Sequence, residues 1–108
     1  MMNAEILKFI KSCVNNRRIR WTYHVNMRLK DRFIPRETIL LSVATYEIIE
    51  QYPTDKYLPS YLIYAENKGR IIHIQIAVDI ENKSVVVVTA YEPTPDKWEK
   101  GFKTRRKK

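Results

Sequence analysis

Two runs rich in β-branched residues predict an antiparallel hairpin in the second half of the chain. In the first run, residues 70–79, alternate positions place four apolar side chains on one side: Ile72, Ile74, Ile76 and Val78. The second run, residues 85–91, follows a polar turn, and its matching apolar side consists of Val86, Val88 and Ala90. Both apolar sides face one core only if the loop has an odd length and centres on Asn82. This register pairs polar residues on the opposite face of the sheet: His73 with Tyr91, and Gln75 with Thr89.

Apolar residues at helical spacing predict three helices before the sheet. The first covers residues 3–14. The second begins after Thr22, a suitable N-cap, and carries an apolar seam of Val25, Leu29 and Phe33. The third has Pro35 in its first turn and ends near Thr45. Its residues expected to reach the core are Ile39, Leu40, Val43 and Ala44.

Two more strands are expected between the third helix and the hairpin. Residues 47–52 alternate weakly, which predicts an edge strand, and residues 57–66 predict a longer strand. A loop of three residues, 67–69, would pair Glu66 with Arg70. In that register Leu62 joins the core, while Tyr61 and Ile63 lie beside Gln75 and His73.

The last part of the chain carries most of its excess positive charge. After Tyr91, two prolines make the chain leave the sheet. Trp98 and Phe102 are four residues apart, which predicts a short helix. The basic tail, about residues 97–108, contains seven Lys or Arg and one Glu, a net charge of +6.

The composition predicts one soluble domain, residues 1–108, with a polyanionic partner. The chain has 44% hydrophobic residues, and 20 Lys and Arg against 12 Asp and Glu give a net charge of +8. RNA, DNA and an acidic protein all fit this charge. A single cysteine, Cys13, and the lack of a signal peptide or long apolar run predict a cytoplasmic protein without membrane contact.

His73 and Tyr91 are the first candidates for chemistry. Histidine titrates near neutral pH and serves as a general acid or base, and a tyrosine hydroxyl beside it can donate to a phosphate. The alternative is a cross-strand pair that packs beneath a loop or a partner.

A second group of candidates could bind phosphate or bases. His24 and Arg28 are four residues apart on the second helix, where they present a proton-transfer group and a guanidinium, or form a solvated helix face. Arg105 and Arg106 could neutralise phosphates and Trp98 could stack on a base, although such a tail can equally serve solubility or an acidic partner. No metal or cofactor is expected, because the two histidines are far apart and the chain has only two glycines.

Several short segments together resemble a small bacterial family of domains. They are His24 to Arg28 with Arg32 and Ile34, then Tyr52-Pro53, Arg70 to His73, Thr89 to Pro93, and Trp98. That family is often encoded beside YgiT-type zinc-finger antitoxins and looks related to the MqsR and RelE toxins. The resemblance covers residues 22–106.

The resemblance implies a RelE-like α+β fold, with N-terminal helices on one face of a small antiparallel sheet and RNA on the other. It further implies a toxin that cleaves messenger RNA, free or ribosome-bound, by metal-independent attack of a ribose 2′-hydroxyl. Carried onto this chain, His73 and Tyr91 are the acid–base candidates and His24 is a second candidate base. Gln75 and Thr89 would position the RNA, and Arg28 with the tail cations would bind phosphate. The implied protein partner is a cognate antitoxin, of the zinc-finger type.

Two other functions remain open from the residues. A non-catalytic RNA-binding module would depend mainly on its basic tail, and its binding would be sensitive to salt. A protein-interaction domain would instead dock a partner strand or helix on the exposed sheet face.

Overall fold

The computed structural model describes residues 3–107 and contains three helices and a five-stranded mixed sheet. The helices are α1 (Asn3–Asn15), α2 (Tyr23–Asp31) and α3 (Arg36–Leu41), and a 3₁₀ turn, Val43–Thr45, follows α3. The strands are β1 (Ile19–Trp21), β2 (Glu47–Tyr52), β3 (Ser60–Asn67), β4 (Arg70–Asp79) and β5 (Ser84–Tyr91). They lie in the order β1-β5-β4-β3-β2. The α+β class is confirmed.

All neighbouring strands are antiparallel except β1, which pairs in parallel with β5. This strand was not predicted, because three residues are too few to show an alternation. It matters for function because it pairs only with residues 85–87 of β5. The edge of β5 beyond Val87 is therefore not covered by a strand.

The helices pack on one face of the sheet and enclose the core. Buried residues of α1, α2 and α3 join isoleucines and valines of β3, β4 and β5 in one cluster. In α1, the predicted stripe of Ile6, Ile10, Cys13 and Val14 is buried. We call the opposite face, which carries His73 and Tyr91, the outer face.

Helix α2 begins as predicted but ends earlier. The Thr22 hydroxyl accepts a hydrogen bond from the backbone N–H of Val25 at 3.1 Å, which is the N-cap. The expectation that Phe33 belongs to the apolar seam is wrong, since its side chain is 83% exposed. Phe33 has a φ of +54° and turns the chain out of the helix, and Ile34 is buried in its place.

Helix α3 is shorter than predicted, and Pro35 is its N-cap. Ile39 is fully buried, while Leu40 and Val43 are half-buried and Ala44 is exposed. The helical segment still ends at Thr45, but its last turn is 3₁₀ and contributes less to the core.

The register predicted for β3 and β4 is wrong by one residue. Asn67 pairs with Arg70, so the loop has two residues, Lys68 and Gly69. Both have positive φ, at +52° and +79°, as a tight type I′ turn requires. Tyr61 and Ile63 consequently face the core, and Leu62 and Tyr64 lie on the outer face opposite Gln75 and His73.

The β4–β5 hairpin follows the predicted register only at one end. His73 pairs with Tyr91 and Gln75 with Thr89, as expected. An irregularity after Gln75 then shifts the pairing by one residue, so that Ile76 lies opposite Val87. The prediction that Val86 and Val88 face the core is therefore wrong: Val85 and Val87 are buried, and Val88 is 45% exposed.

Residues 94–107 cross the outer face as an irregular segment, which we call the strap. The predicted helix containing Trp98 and Phe102 is absent from this described segment, where turns and one bridge between Trp98 and Arg105 are found instead. Within residues 3–107, no helix is long and apolar enough to cross a membrane.

Candidate functional site

The outer face brings His73 and Tyr91 together as the sequence predicted. The Tyr91 hydroxyl lies 3.3 Å from His73 Nδ1, and the ring centroids are 5.4 Å apart. The neighbouring pair, Gln75 and Thr89, occupies the next outward-facing position along the same two strands. All four residues therefore line one face, from the middle of the sheet towards the end of β5.

The strap buries His73 completely. The indole ring of Trp98 packs edge-on against the imidazole, with ring centroids 4.4 Å apart, and His73 is 0% exposed. Its Nε2 lies 2.7 Å from the carbonyl oxygen of Phe102. Since a carbonyl can only accept, Nε2 carries the proton, and Nδ1 accepts a hydrogen bond from the Tyr91 hydroxyl. Both ring nitrogens of His73 are thus hydrogen-bonded within the chain.

Burial also sets the ionisation of this pair. It lowers the pKa of His73 below its ordinary value, and the hydrogen bond to Phe102 opposes that shift only in part. Burial likewise raises the pKa of Tyr91. At neutral pH the pair therefore consists of an uncharged imidazole and an uncharged phenol.

Ion pairs fasten the strap to the far edge of the sheet. The Arg105 guanidinium donates to both carboxylate oxygens of Glu50 on β2, at 2.6 and 3.1 Å, and also stacks over the Trp98 ring. Lys103 Nζ lies 2.6 Å from Glu47 Oε2. Burial alone would raise the pKa of Glu50, but hydrogen bonds from Arg105 and Tyr52 outweigh it and hold that pKa low. Glu50 is therefore a carboxylate that fixes Arg105 in place.

A cleft opens where the strap meets the end of β5. It encloses about 410 Å³, and we call it the basic cleft. Its lining consists of Arg32, Tyr91, Glu92, Thr94, Lys97, Trp98 and Arg105. Three of these residues are cations, and Tyr91 contributes the hydroxyl that is bonded to His73.

Arg32 enters the cleft because the edge of β5 is open there. Its guanidinium donates to the carbonyl oxygen of Ala90 at 2.8 Å and to the Thr89 hydroxyl at 3.1 Å. Strand β1 ends before this position, so the Ala90 carbonyl has no partner strand on this side. Arg32 donates to this carbonyl in place of a strand. These two hydrogen bonds orient the guanidinium, and its other N–H groups can bind a ligand.

The basic cleft has a net positive charge, because the one carboxylate in its lining, Glu92, is paired with a cation outside the lining. Glu92 is engaged by Arg70, whose Nη2 lies 2.8 Å away. Arg105 is paired with Glu50. Among the described residues, no carboxylate lies within ion-pair distance of Arg32 or Lys97. These two cations are therefore available to an anion.

The other predicted site residues lie apart from the centre of the cleft. His24 and Arg28 are exposed on α2, two turns and one turn before Arg32 respectively, on the same side of the helix. Arg106 is exposed, donates to the carbonyl oxygen of Pro95, and lines a neighbouring cavity with Lys97. Gln75 donates to the Ser60 hydroxyl at 3.1 Å. Tyr91, Trp98 and Arg105 are the predicted residues that the cleft brings together.

Arg32 and Thr94 were missed as site residues, and Lys97 was predicted only as one of the tail cations. The four-residue spacing of His24, Arg28 and Arg32 was a usable signal, since it extends one cationic helix face to the end of α2. Nothing in the sequence marks Thr94 or distinguishes Lys97 from the other tail cations, because their position in the cleft depends on how the strap folds back. Among the described residues, no group of three or more His, Cys, Asp or Glu could hold a metal ion.

Comparison with protein-family models matches residues 21–92 to a family described as "Domain of unknown function (DUF4258)". The match begins at Trp21, the last residue of β1, and ends at Glu92, so it includes Arg32 and Tyr91 and leaves α1 and the strap outside. It makes no connection to the MqsR or RelE toxins. Neither the curated proteins nor the solved structures gave a match.

Proposed function

The chain belongs to the DUF4258 family, whose description leaves its function open. From the geometry of the basic cleft, we propose that this protein binds single-stranded RNA and cleaves it without a metal ion. The cleft supports this proposal because it brings three cations and a tyrosine hydroxyl to one concave site. A phosphodiester needs such donors, since its negative charge grows as the bond breaks.

Arg32 and Lys97 are the groups that we assign to phosphate. A guanidinium offers N–H groups in a planar fork that matches two phosphate oxygens, and an ammonium adds a mobile charge. Arg32 is already oriented by Thr89 and Ala90, so little freedom is lost when it binds. The Tyr91 oxygen, whose proton is donated to His73, would lie against the neighbouring ribose and accept from its 2′-hydroxyl.

Cleavage follows from the coupling of Tyr91 to His73. The ribose 2′ oxygen attacks the adjacent phosphorus, its bond to phosphorus forms, and the bond from phosphorus to the 5′ oxygen breaks. Tyr91 takes the 2′ proton as its own proton passes to His73 Nδ1. The departing 5′ oxygen takes a proton from water in the open cleft, and His73 returns its proton to solvent through Tyr91. Tyr91 is then the residue that contacts the substrate, and His73 is the proton acceptor that acts through it.

We extend the proposal to biology on the sequence resemblance alone. The chain would be the toxin of a type II toxin–antitoxin pair, acting in the cytoplasm on free or ribosome-bound messenger RNA. Its expected protein partner is an antitoxin, of the zinc-finger type, encoded beside it. Expression should arrest growth, and the product of the neighbouring gene should relieve the arrest.

The test of cleavage uses pure protein, single-stranded RNA and a chelator. We expect products that end in 2′,3′-cyclic phosphate. Tyr91→Phe should reduce cleavage by at least about 100-fold, since proton transfer typically contributes 10²–10⁴-fold. Tyr23→Phe is the matched control, because Tyr23 is a 74% exposed tyrosine on α2. Equal activity of the two variants would disprove the site.

The burial of His73 favours a second candidate function, RNA binding without cleavage. Both ring nitrogens of His73 are already bonded within the chain, so the pair can also serve only to hold the strap. In that case the wild-type protein binds RNA but yields no cyclic phosphate. Lys97→Ala would weaken binding, and Tyr91→Phe would leave it nearly unchanged.

A further inference from the structure

The strap covers only one end of the outer face and leaves an apolar groove open at the other. The groove encloses about 410 Å³ and lies between the loop before β3 and the outward-facing residues of β4 and β5. Its apolar lining consists of Tyr57, Leu58, Ala77, Val86 and Val88. Tyr57 is 85% exposed and Val88 is 45% exposed. These two side chains face solvent, and no residue of the strap lines the groove.

The irregularity between β4 and β5 creates this surface. Without it, Val86 and Val88 would point to the core, because the two strands would keep one register along their length. The shift after Gln75 turns Val86 outward, opposite Ala77. The outward position of Val86, and with it this wall of the groove, therefore results from the register shift after Gln75.

The groove and the basic cleft lie on one continuous track. Val88 and Tyr91 are three residues apart on β5, which corresponds to about 10 Å along a strand. The pair of Gln75 and Thr89 lies between them on the same face. An extended polymer that enters the cleft would next cross this polar pair and then reach the groove.

The charges around the groove select the kind of polymer. Lys56 Nζ lies over one face of the Tyr57 ring, 5.2 Å from its centroid, and carries no ion pair among the described residues. The carboxylate of Asp55 is occupied by the Ser60 hydroxyl at 2.7 Å and the backbone N–H of Lys56. A ring with a cation over one face can still stack a base on its other face, and the cation then lies close enough to meet an adjacent phosphate.

We propose that this groove binds an unstacked nucleobase of the RNA strand whose phosphate occupies the basic cleft. Tyr57 stacks on the base, Val86 and Val88 contact its edge, and Lys56 neutralises an adjacent phosphate. The inference rests on the proposed RNA binding but not on cleavage. It assigns base contacts to the groove and phosphate contacts to the cleft, and therefore it can fail while RNA binding stands.

The test measures binding of short 2′-O-methyl RNA strands that contain one abasic position, scanned along the strand. This probe cannot be cleaved by attack of a 2′-hydroxyl. For the wild-type protein, we expect loss of the base at one position to weaken binding by about tenfold. Tyr57→Ala should abolish that penalty, and Tyr57→Phe should retain it. Tyr23→Ala, at an exposed tyrosine on α2, should leave it unchanged.

The possible failures are distinguishable. If Tyr57→Ala keeps the full abasic penalty while Lys97→Ala weakens all strands alike, the groove assignment is wrong and RNA binding stands. If no strand shows a position-dependent penalty, the groove is likewise excluded. If no strand binds at low salt, both proposals fall. Because Tyr57 is exposed, its replacement does not threaten folding, and unchanged thermal unfolding would verify this.

Discussion

At the residue scale, His73 was predictable in position but not in environment. The alternation of β4 placed it opposite Tyr91, and the pairing is confirmed. Its burial comes from Trp98 and Phe102, which are 25 or more positions later and return to it through irregular backbone. A period-two pattern reports which face a residue is on, and it cannot report what later covers that face.

The buried imidazole should make the protein less stable in mild acid. The folded pKa of His73 is lowered, so between that pKa and the ordinary value of about 6.5 the unfolded chain binds more protons than the folded one. Stability is therefore full above the unfolded pKa and is lost as pH falls towards the folded pKa. Urea unfolding at about pH 7.5 and about pH 5.5 should show this loss.

Two histidine variants separate this effect from the rest of the protein. His73→Gln should cost about 1–3 kcal/mol at about pH 7.5 and should make stability less dependent on pH. His24→Gln should preserve the wild-type pH dependence, since His24 is exposed. If His73→Gln unfolds with the same pH dependence as the wild type, then His73 is not the buried neutral group described above.

Phe33 offers a second prediction, because it is in a conformation that suits glycine. It follows the C-cap of α2 and has a φ of +54°. The Phe33 N–H donates to the carbonyl oxygen of Lys30, and the Ile34 N–H donates to that of Leu29, which is the usual pattern at the end of such a helix. Phe33→Gly should stabilise the fold by up to about 1 kcal/mol in urea unfolding, since a bulky side chain is strained there. Phe33→Ala keeps the strain and removes the exposed ring, so it should not stabilise.

At the element scale, the two hairpins show why register was only partly predictable. The polar pairs at the end of β5 follow from alternation, but the number of loop residues does not. Lys68 adopts a positive φ that its residue type does not announce, and the loop before Arg70 is one residue shorter than expected. In the run of four valines, every position is equally apolar, so the pattern contains no signal for the shift after Gln75.

Neighbouring valines of β5 provide a direct test of that shift. Val87 is 0% exposed and Val88 is 45% exposed. Val87→Thr should cost about 1–3 kcal/mol in urea unfolding, because it buries a hydroxyl of nearly the same shape as a methyl group. Val88→Thr should change stability by less than about 0.5 kcal/mol. The uninterrupted register would give the reverse order, with Val88→Thr as the costly change.

At the scale of the whole molecule, the net charge of the tail is larger than the number of its cations that are free to bind a ligand. The sequence predicted that tail cations bind phosphate, yet Lys103 and Arg105 are paired with Glu47 and Glu50 of β2. These pairs join residues about 55 positions apart, and composition gives no information about them. The structure therefore removes Lys103 and Arg105 from the unpaired charge of the tail and adds Arg32, which lies beside Lys97 at the junction of α2, β5 and the strap.

This redistribution predicts a weak salt dependence of RNA binding for so basic a chain. Each phosphate contact to a single strand contributes about −0.7 to the slope of log K against log salt. Two or three cleft contacts, together with the proposed phosphate contact of Lys56, should therefore give a slope of about −2.1 to −2.8. Lys97→Ala should make the slope shallower by about 0.7, since it removes one unpaired cation.

Lys103→Ala is the matched variant within the same strap. Lys103 is already neutralised by Glu47, and an exposed ion pair contributes little to stability, so its removal should leave both folding and the salt slope nearly unchanged. Fluorescence anisotropy across a salt series measures all three proteins. Equal changes in the salt slope for the two lysine variants would mean that RNA binding depends on the total charge of the tail. The assignment of phosphate binding to the basic cleft would then be wrong.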